Sequence, residues 1–322
     1  MNSNLKLILV LLGVSAAAQG LGMILPEYYA RLFLEGSINA ILAVALNLVN
    51  GLSGQFSLGQ AGFMAVGAYV SVSVDVFLLS SLHGSPAGAQ IALVLSLAAG
   101  ALASALAGYL VGLPSLRLRG DYLAIATLGF GEIIRVVILN IQAVGGARGF
   151  IGIPTTTTTF LVVFVLVLCV LLTHRFVMSS HGRALLAIRE NEIAAEAMGV
   201  NTTYYKVQAF VVSAAVTGVA GGLFAHHLSI ITPSSFDFME SVTIVVMVVL
   251  GGMGSVSGSI VAAFLITFLP EALRPLQDIT HVDLRMVIYS LVLILMMLLR
   301  PKGMFGRKEL WEMVKKRAAG SR

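Results

Sequence analysis

Long apolar runs, separated by short polar connections, occupy almost the whole 322-residue chain. A helix that crosses a bilayer needs about 20 mostly apolar residues, so each long run is a candidate span. The pattern predicts about ten spans, with eight or nine as alternatives: 5–25, 32–50, 56–80, 88–113, 120–143, 159–176, 206–231, 241–254, 256–270 and 284–300. The fold class predicted is therefore all-α, a polytopic transmembrane helical bundle.

Two parts of this pattern leave alternatives open. The pair 241–254 and 256–270 is short and interrupted by glycine, which fits two tilted helices or one span with a re-entrant piece. Near the N-terminus, Lys6 and the apolar run after it resemble a cleavable signal peptide. The apolar stretch continues to Leu25, however, which favours an uncleaved first helix.

The composition supports a membrane protein and the distribution of charge orients it. Hydrophobic residues make up 58% of the chain and charged residues 11%, whereas soluble domains have about 25% charged residues. Cytoplasmic loops of membrane proteins retain Lys and Arg. With both termini in the cytoplasm, fifteen basic residues lie inside and four outside. The net charge of +5 is spread over connections and the tail, which argues against nucleic-acid binding.

The longest polar interruption, 177–205, is rich in helix-forming residues. Leu185, Ile188, Ala195 and Met198 recur at spacings that predict one weakly amphipathic helix or two short ones, and Gly199 is a candidate C-cap. One interpretation is a solvated connecting helix. The other is a docking segment for a cytoplasmic partner. We divide the chain into a membrane domain, 1–306, and a basic cytoplasmic tail, 307–322. The membrane domain contains residues 177–205, which we name the coupling segment.

Several motifs resemble a known family. Ala194-Ala195-x-x-x-Gly199 is similar to the coupling motif of ABC importer permeases, although Ile193 stands where that motif has an acid and Glu192 comes one position earlier. Five further blocks resemble the permeases for branched-chain amino acids, most closely the second permease of the high-affinity importer: NGLSGQFSLGQA (50–61), GDYLAIATLGFGEIIR (120–135), GRALLAIRE (182–190), VLGGMGS (249–255) and RPKGMF (300–305).

The resemblance implies a permease subunit in the bacterial inner membrane. Its expected partners are a second, similar permease, two ATP-binding subunits, a periplasmic substrate-binding protein and membrane lipid. The ATPase-coupling residues that the resemblance implies are Arg183, Arg189, Glu190, Glu192, Ala194, Ala195 and Gly199. A permease for urea, short amides or other amino acids is the nearest alternative. A secondary transporter is a more distant one.

The chain is not expected to be an enzyme or to need a cofactor. It has no Gly-Lys-Ser/Thr phosphate loop, so any ATPase must be another chain. His226 and His227 are consecutive, about 100° apart on a helix, and no further ligand has suitable spacing, so no metal site is predicted.

Polar residues inside the spans are the remaining candidates, because charges in a membrane are costly and usually face the bundle interior. Glu132 and Arg135 have i, i+3 spacing. They predict a bracing ion pair or part of a translocation path. Glu35 and Asp75 lie near the outer ends of their spans, where water is expected to reach them. A polar set between two spans fits either the path or close helix packing: Asn47, Asn50, Ser53, Gln55, Ser57 and Gln60.

Overall fold

A computed structural model of the chain describes residues 3–118, 120–274, 290–291, 294–295, 298–299 and 303–306. Up to residue 274, the described part contains eleven α-helices: α1 (Ser3–Ile24), α2 (Glu27–Asn47), α3 (Gln60–Leu78), α4 (Pro86–Ser115), α5 (Asp121–Asn140), α6 (Thr159–Met178), α7 (Ser180–Glu190), α8 (Glu192–Ala197), α9 (Thr202–Leu228), α10 (Phe238–Gly251) and α11 (Val256–Ala272). A π-helical turn, Leu48–Leu52, continues α2.

Six helical stretches in the described part are long and apolar enough to cross a membrane: Glu27–Leu52, Gln60–Leu78, Pro86–Ser115, Asp121–Asn140, Thr159–Met178 and Thr202–Leu228. Shorter apolar helices lie at Leu11–Ile24, Phe238–Gly251 and Val256–Ala272. The prediction of a multi-pass helical bundle is confirmed. Most of the predicted span 284–300 lies outside the described residues, and the basic tail 307–322 lies wholly outside them.

Helix α9 lies at the centre of the bundle, where α2, α3 and α4 pack against it. Small residues allow this close approach: a Cβ on Gly67 would come within 2.3 Å of the Gly218 Cα. The hydroxyl of Ser104 in α4 donates to the Phe63 carbonyl in α3. Close backbone approach and hydrogen bonds between helices are the means by which membrane helices associate, because lipid supplies no hydrophobic driving force between them.

The structure differs from the all-helical prediction in one small feature. Strand β1 (Phe150–Ile151) pairs antiparallel with β2 (Ile230–Ile231) and joins the connections that follow α5 and α9. Gly149 has φ +80°, and a Cβ there would meet the Ile231 carbonyl oxygen at 2.3 Å. The glycine therefore lets the two backbones approach, a feature that hydrophobic periodicity does not register.

A second difference concerns the predicted span 56–80. Helix α3 begins only at Gln60, and residues 53–59 are non-helical. We name residues 48–59, the π turn and the non-helical stretch after it, the first break. Residues 252–255, between α10 and α11, form the second break. The prediction left open how the chain runs through 241–270, and the structure places two helices there.

Candidate functional site

Polar side chains in and beside the first break are buried and hydrogen-bond mainly to backbone. The Asn50 Oδ1 accepts from the Ser57 amide at 3.1 Å, and the Ser53 hydroxyl donates to the Val49 carbonyl at 2.7 Å. All six predicted polar residues have side chains inside the protein: Asn47, Asn50, Ser53, Gln55, Ser57 and Gln60. Irregular backbone at membrane depth needs such partners, since no water is present to supply them.

Gln60, the first residue of α3, connects the end of this break to the central helix. Its Nε2 donates to the hydroxyl of Ser213 at 3.2 Å and also to that of Thr217, both on α9. Ser213 in turn donates to the Ala45 carbonyl of α2 at 2.6 Å. These bonds hold α2, α3 and α9 in register around the break.

The second break contacts Gly51 of the first break and Asn47, the last residue of α2. The Gly254 amide donates to the Asn47 Oδ1 at 2.8 Å. Gly252 and Gly254 have φ +111° and +96°, conformations that favour glycine. The Ser255 hydroxyl then caps α11 by accepting from the Gly258 amide at 3.1 Å. The Met304 amide donates to the Leu250 carbonyl at 2.8 Å, so the RPKGMF block packs against the end of α10, next to the second break.

The coupling segment folds as two short capped helices, as one of the two sequence alternatives predicts. Ser179 accepts from the Gly182 amide at the start of α7, and the Asn191 Oδ1 accepts from the Ala194 amide at the start of α8. At the end of α8 the Gly199 amide donates to the Glu196 carbonyl and the Val200 amide to the Ala195 carbonyl. With Gly199 at φ +81°, this is a Schellman ending, and the predicted C-terminal glycine is confirmed.

The two faces of this segment differ. Leu185, Ile188 and Ala195 are buried against the bundle, whereas Ile193 and Met198 are 70% and 84% exposed. Ala194 and Gly199 are also exposed. Ala195 therefore lies on the inner face, although the resemblance places it among the ATPase-coupling residues. The reason is its position in the single turn of α8 that packs on α9.

Charged residues tie the segment to the bundle. The Glu192 carboxylate lies 2.7 Å from the Lys206 ammonium on α9. Arg189 lies 3.2 Å from the Glu190 carboxylate, and its Nη1 donates to the Gly51 carbonyl in the first break at 2.8 Å. Arg183 is exposed and donates to the Met178 carbonyl. None of these contacts was predicted from the sequence.

Glu132 and Arg135 on α5 form the predicted pair, with Nε to Oε2 at 2.8 Å. Their side chains are 37% and 29% exposed in the isolated chain. Only 22% of the most apolar stretch of α5 is buried inside the chain. A small cavity beside Glu132 is lined by Leu58 from the first break, Asp237 before α10 and Ser241 on α10. The pair thus lies where the first break, α5 and α10 meet.

The expectation that water reaches Asp75 is wrong. Asp75 is 1% exposed, because α3 is packed between α4 and α9 at this level. Its carboxylate oxygens lie 3.3 Å from the His83 Nε2 and 3.4 Å from the His226 Nε2. The His226 Nδ1 donates to the Gly222 carbonyl at 2.8 Å. Sequence reasoning missed this cluster because its members come from two helices and a connection.

Comparison with known proteins agrees with these features. The family model described as "Branched-chain amino acid transport system / permease component" matches residues 28–298. The chain is 38% identical to the high-affinity branched-chain amino acid transport system permease protein LivM of Salmonella typhimurium, over 83% of this chain and 67% of the relative. The Escherichia coli LivM is 37% identical over the same shares.

Another permease protein of high-affinity branched-chain amino acid transport is a more distant relative. The Escherichia coli high-affinity branched-chain amino acid transport system permease protein LivH is 27% identical, over 85% of this chain and 93% of the relative. No solved structure matches the chain.

Proposed function

Since the chain belongs to the family of permease components of branched-chain amino acid transport systems, we propose that it is the membrane-spanning subunit of an ATP-driven importer for branched-chain amino acids. The observation that carries the proposal is the family match over 28–298, which includes all six long apolar helices. A multi-pass bundle without a phosphate loop fits a permease that is energised by separate ATP-binding subunits.

The second permease is proposed to pack against α5. Charges in contact with lipid hydrocarbon are costly, so polar groups on a spanning helix face protein or water. Glu132 and Arg135 are partly exposed in the single chain and lie on its least buried long helix. A second, similar chain would cover this face. The resemblance to both LivM and LivH supports a pair of related permeases.

The translocation path is proposed to run along the same face. Leu58 of the first break and Glu132 line one cavity, and the Leu58 amide donates to the Thr127 hydroxyl on α5 at 3.1 Å. The buried polar residues Asn47–Gln60 would then form the wall behind the path. Movement of the break would open or close it.

The ATP-binding subunits are proposed to dock on the exposed side of α7 and α8. Ile193 and Met198 are large apolar side chains left open beside Ala194 and Gly199. An apolar patch on a polar connection is typical of a protein-binding surface. The distribution of Lys and Arg supports a bacterial inner-membrane orientation with both termini and this surface in the cytoplasm. A periplasmic binding protein would deliver substrate at the opposite end.

The test is transport by the whole complex. This chain, the second permease, the ATP-binding subunits and the binding protein are reconstituted in liposomes, and uptake of labelled leucine, isoleucine and valine is measured with and without ATP. We expect ATP-dependent uptake that requires the binding protein. Uptake of urea or acetamide but not leucine would assign the amide alternative. Uptake driven by an ion gradient without ATP would refute the importer.

A further inference from the structure

Arg189 is the next-to-last residue of α7, the first helix of the coupling segment, and its side chain points into the protein. It is 17% exposed, and its Nη1 donates to the carbonyl of Gly51, a residue 138 positions earlier in the chain. Glu190 lies 3.2 Å from the other terminal nitrogen. The apolar side chains that the segment leaves open are instead Ile193 and Met198. Arg189 is therefore built to contact the bundle rather than a docking partner.

Three glycines from the two breaks surround this side chain. Gly54 has φ +70°, and a Cβ there would lie 2.8 Å from the Arg189 Cγ. Gly254 has φ +96°, and its Cβ would lie 3.3 Å from the Arg189 Nη1. A Cβ on Gly51 would come within 2.4 Å of the Gly254 amide nitrogen. A larger residue at any of the three would displace the guanidinium or separate the breaks.

The contact joins three parts of the chain at one point. Gly51 belongs to the π turn of the first break and Gly254 to the second break, where the two glycines approach closely. The Gly254 amide also donates to Asn47, the last residue of α2 before the first break. The Arg189 Nε is buried and has no hydrogen-bond partner among the described residues. A buried donor without an acceptor is unfavourable. The guanidinium therefore has one donor that the observed arrangement of the breaks does not satisfy.

We infer that Arg189 is a positioning residue that transmits movement of the coupling segment to the two breaks. This inference rests on the proposed function, because it assumes that α7 and α8 move with an ATPase. A planar guanidinium suits this role because its donors have a fixed geometry, so its contacts hold the side chain in one orientation. The ammonium group of lysine imposes no such geometry. When the segment shifts, Gly51 and Gly254 shift with it.

The first measurement is hydrogen–deuterium exchange of the assembled complex with and without ATP, because it needs no transported substrate. In the unmodified complex, ATP should change exchange in peptides from α7 and α8 and also in peptides covering 48–59 and 252–258. In Arg189→Gln the change in α7 and α8 should remain, whereas the change in both breaks should be lost. Arg189→Lys should behave like Arg189→Gln, because lysine keeps the positive charge but lacks the planar set of N–H donors of the guanidinium.

The second measurement is leucine taken up per ATP hydrolysed, with the amount of co-purified ATPase as a separate readout. Arg189→Gln should lower this ratio about tenfold, the scale expected for loss of a charge-assisted hydrogen bond, while the ATPase still co-purifies. Gly54→Ala keeps the arginine but displaces its Cγ, so it should lower the ratio as well. Gly152→Ala is the control: its φ is +82°, but its Cβ would meet nothing within 4 Å.

Each outcome decides between roles. ATP-dependent changes that persist in both breaks of Arg189→Gln overturn the inference. Loss of ATPase co-purification in Arg189→Gln would assign the residue to docking, and failure of both Arg189→Gln and Gly54→Ala to assemble would assign it to folding. Either result overturns the inference. An unmodified complex that moves no leucine refutes the proposed function instead, and the exchange experiment still tests the link.

Discussion

Glu132 and Arg135 show how a membrane helix can carry two opposite charges when they are spaced to form an ion pair. Three residues apart on α5, they lie on neighbouring positions of one helical face, and the 2.8 Å contact neutralises both. The contact is worth more inside a membrane bundle than at a water-exposed surface, because each charge would otherwise need a different partner. This geometry is compatible with both roles considered for the pair, bracing the helix bundle and lining the proposed translocation path.

The first prediction follows from this pairing. Glu132→Gln and Arg135→Gln should each lower the free energy of unfolding by about 1.5–3 kcal/mol, the range for a hydrogen bond to a charged group. The double variant should lose less than the sum of the two, since neither charge is then left alone. Thermal unfolding of the purified chain in detergent measures all four proteins. Strictly additive losses would contradict the pairing.

The second prediction concerns the cluster around Asp75. Asp75→Ala should destabilise the chain by about 1–3 kcal/mol, the cost of leaving buried polar partners unsatisfied. It leaves the buried His226 without its carboxylate. The matched control is Glu35→Ala, because Glu35 is 41% exposed and lies 3.9 Å from the His227 Nε2. An exposed pair contributes about 1 kcal/mol or less. Equal losses in both variants would show that burial of Asp75 has no such effect.

These two cases show which side-chain contacts can be predicted from the sequence and which cannot. The Glu132–Arg135 pair is local, so helical spacing alone predicts it. Asp75 meets His83 from the next connection and His226 from a distant helix. No local spacing relates these residues, and the depth of Asp75 depends on how α4 and α9 pack around α3. The wrong expectation of a water-exposed Asp75 came from its position near a helix end.

At the scale of elements, the coupling segment was the most predictable part of the site. Ser179 and Asn191 cap the starts of α7 and α8, and Gly199, the predicted C-cap, ends α8, so local hydrogen bonds fix three helix ends. Which face is buried was less predictable, because the amphipathic pattern is weak. Of the four recurring apolar residues, Leu185, Ile188 and Ala195 are buried, whereas Met198 is exposed. The contact from Arg189 to Gly51 depends on the tertiary fold and left no signal in the sequence beyond an arginine near glycines.

The third prediction tests this segment. Gly199→Leu should weaken ATPase association or reduce uptake, because it adds a large side chain beside the exposed Ile193 and Met198 and strains a residue at φ +81°. Gly152→Leu is the control, since its φ of +82° is nearly the same and its Cβ position is also open. The measurements are ATPase pull-down and leucine uptake at matched expression. Equal behaviour of the two variants would leave α7 and α8 as a solvated connection.

At the scale of the whole molecule, apolar run length predicted the bundle, and the glycines decided how it packs. The interlocked α3, α4 and α9 depend on contacts such as Gly67 against Gly218, which hydropathy does not distinguish from loop glycines. The two broken regions were recognisable as polar or glycine-rich interruptions. Their contact through Asn47 and Gly254 was not, because it joins chain segments 207 positions apart.

The fourth prediction concerns what the chain does alone. The whole sequence has no Gly-Lys-Ser/Thr phosphate loop, and α5 presents a charged pair on a face that the single chain leaves partly open. The purified chain in liposomes should therefore hydrolyse no ATP and accumulate no leucine, whichever side receives ATP. Adding the second permease alone should cover α5 but leave transport absent. Uptake should appear only when ATP-binding subunits and binding protein are also present. ATP-dependent accumulation by the single chain would show that energy enters through this subunit itself, against the division of labour proposed for the complex.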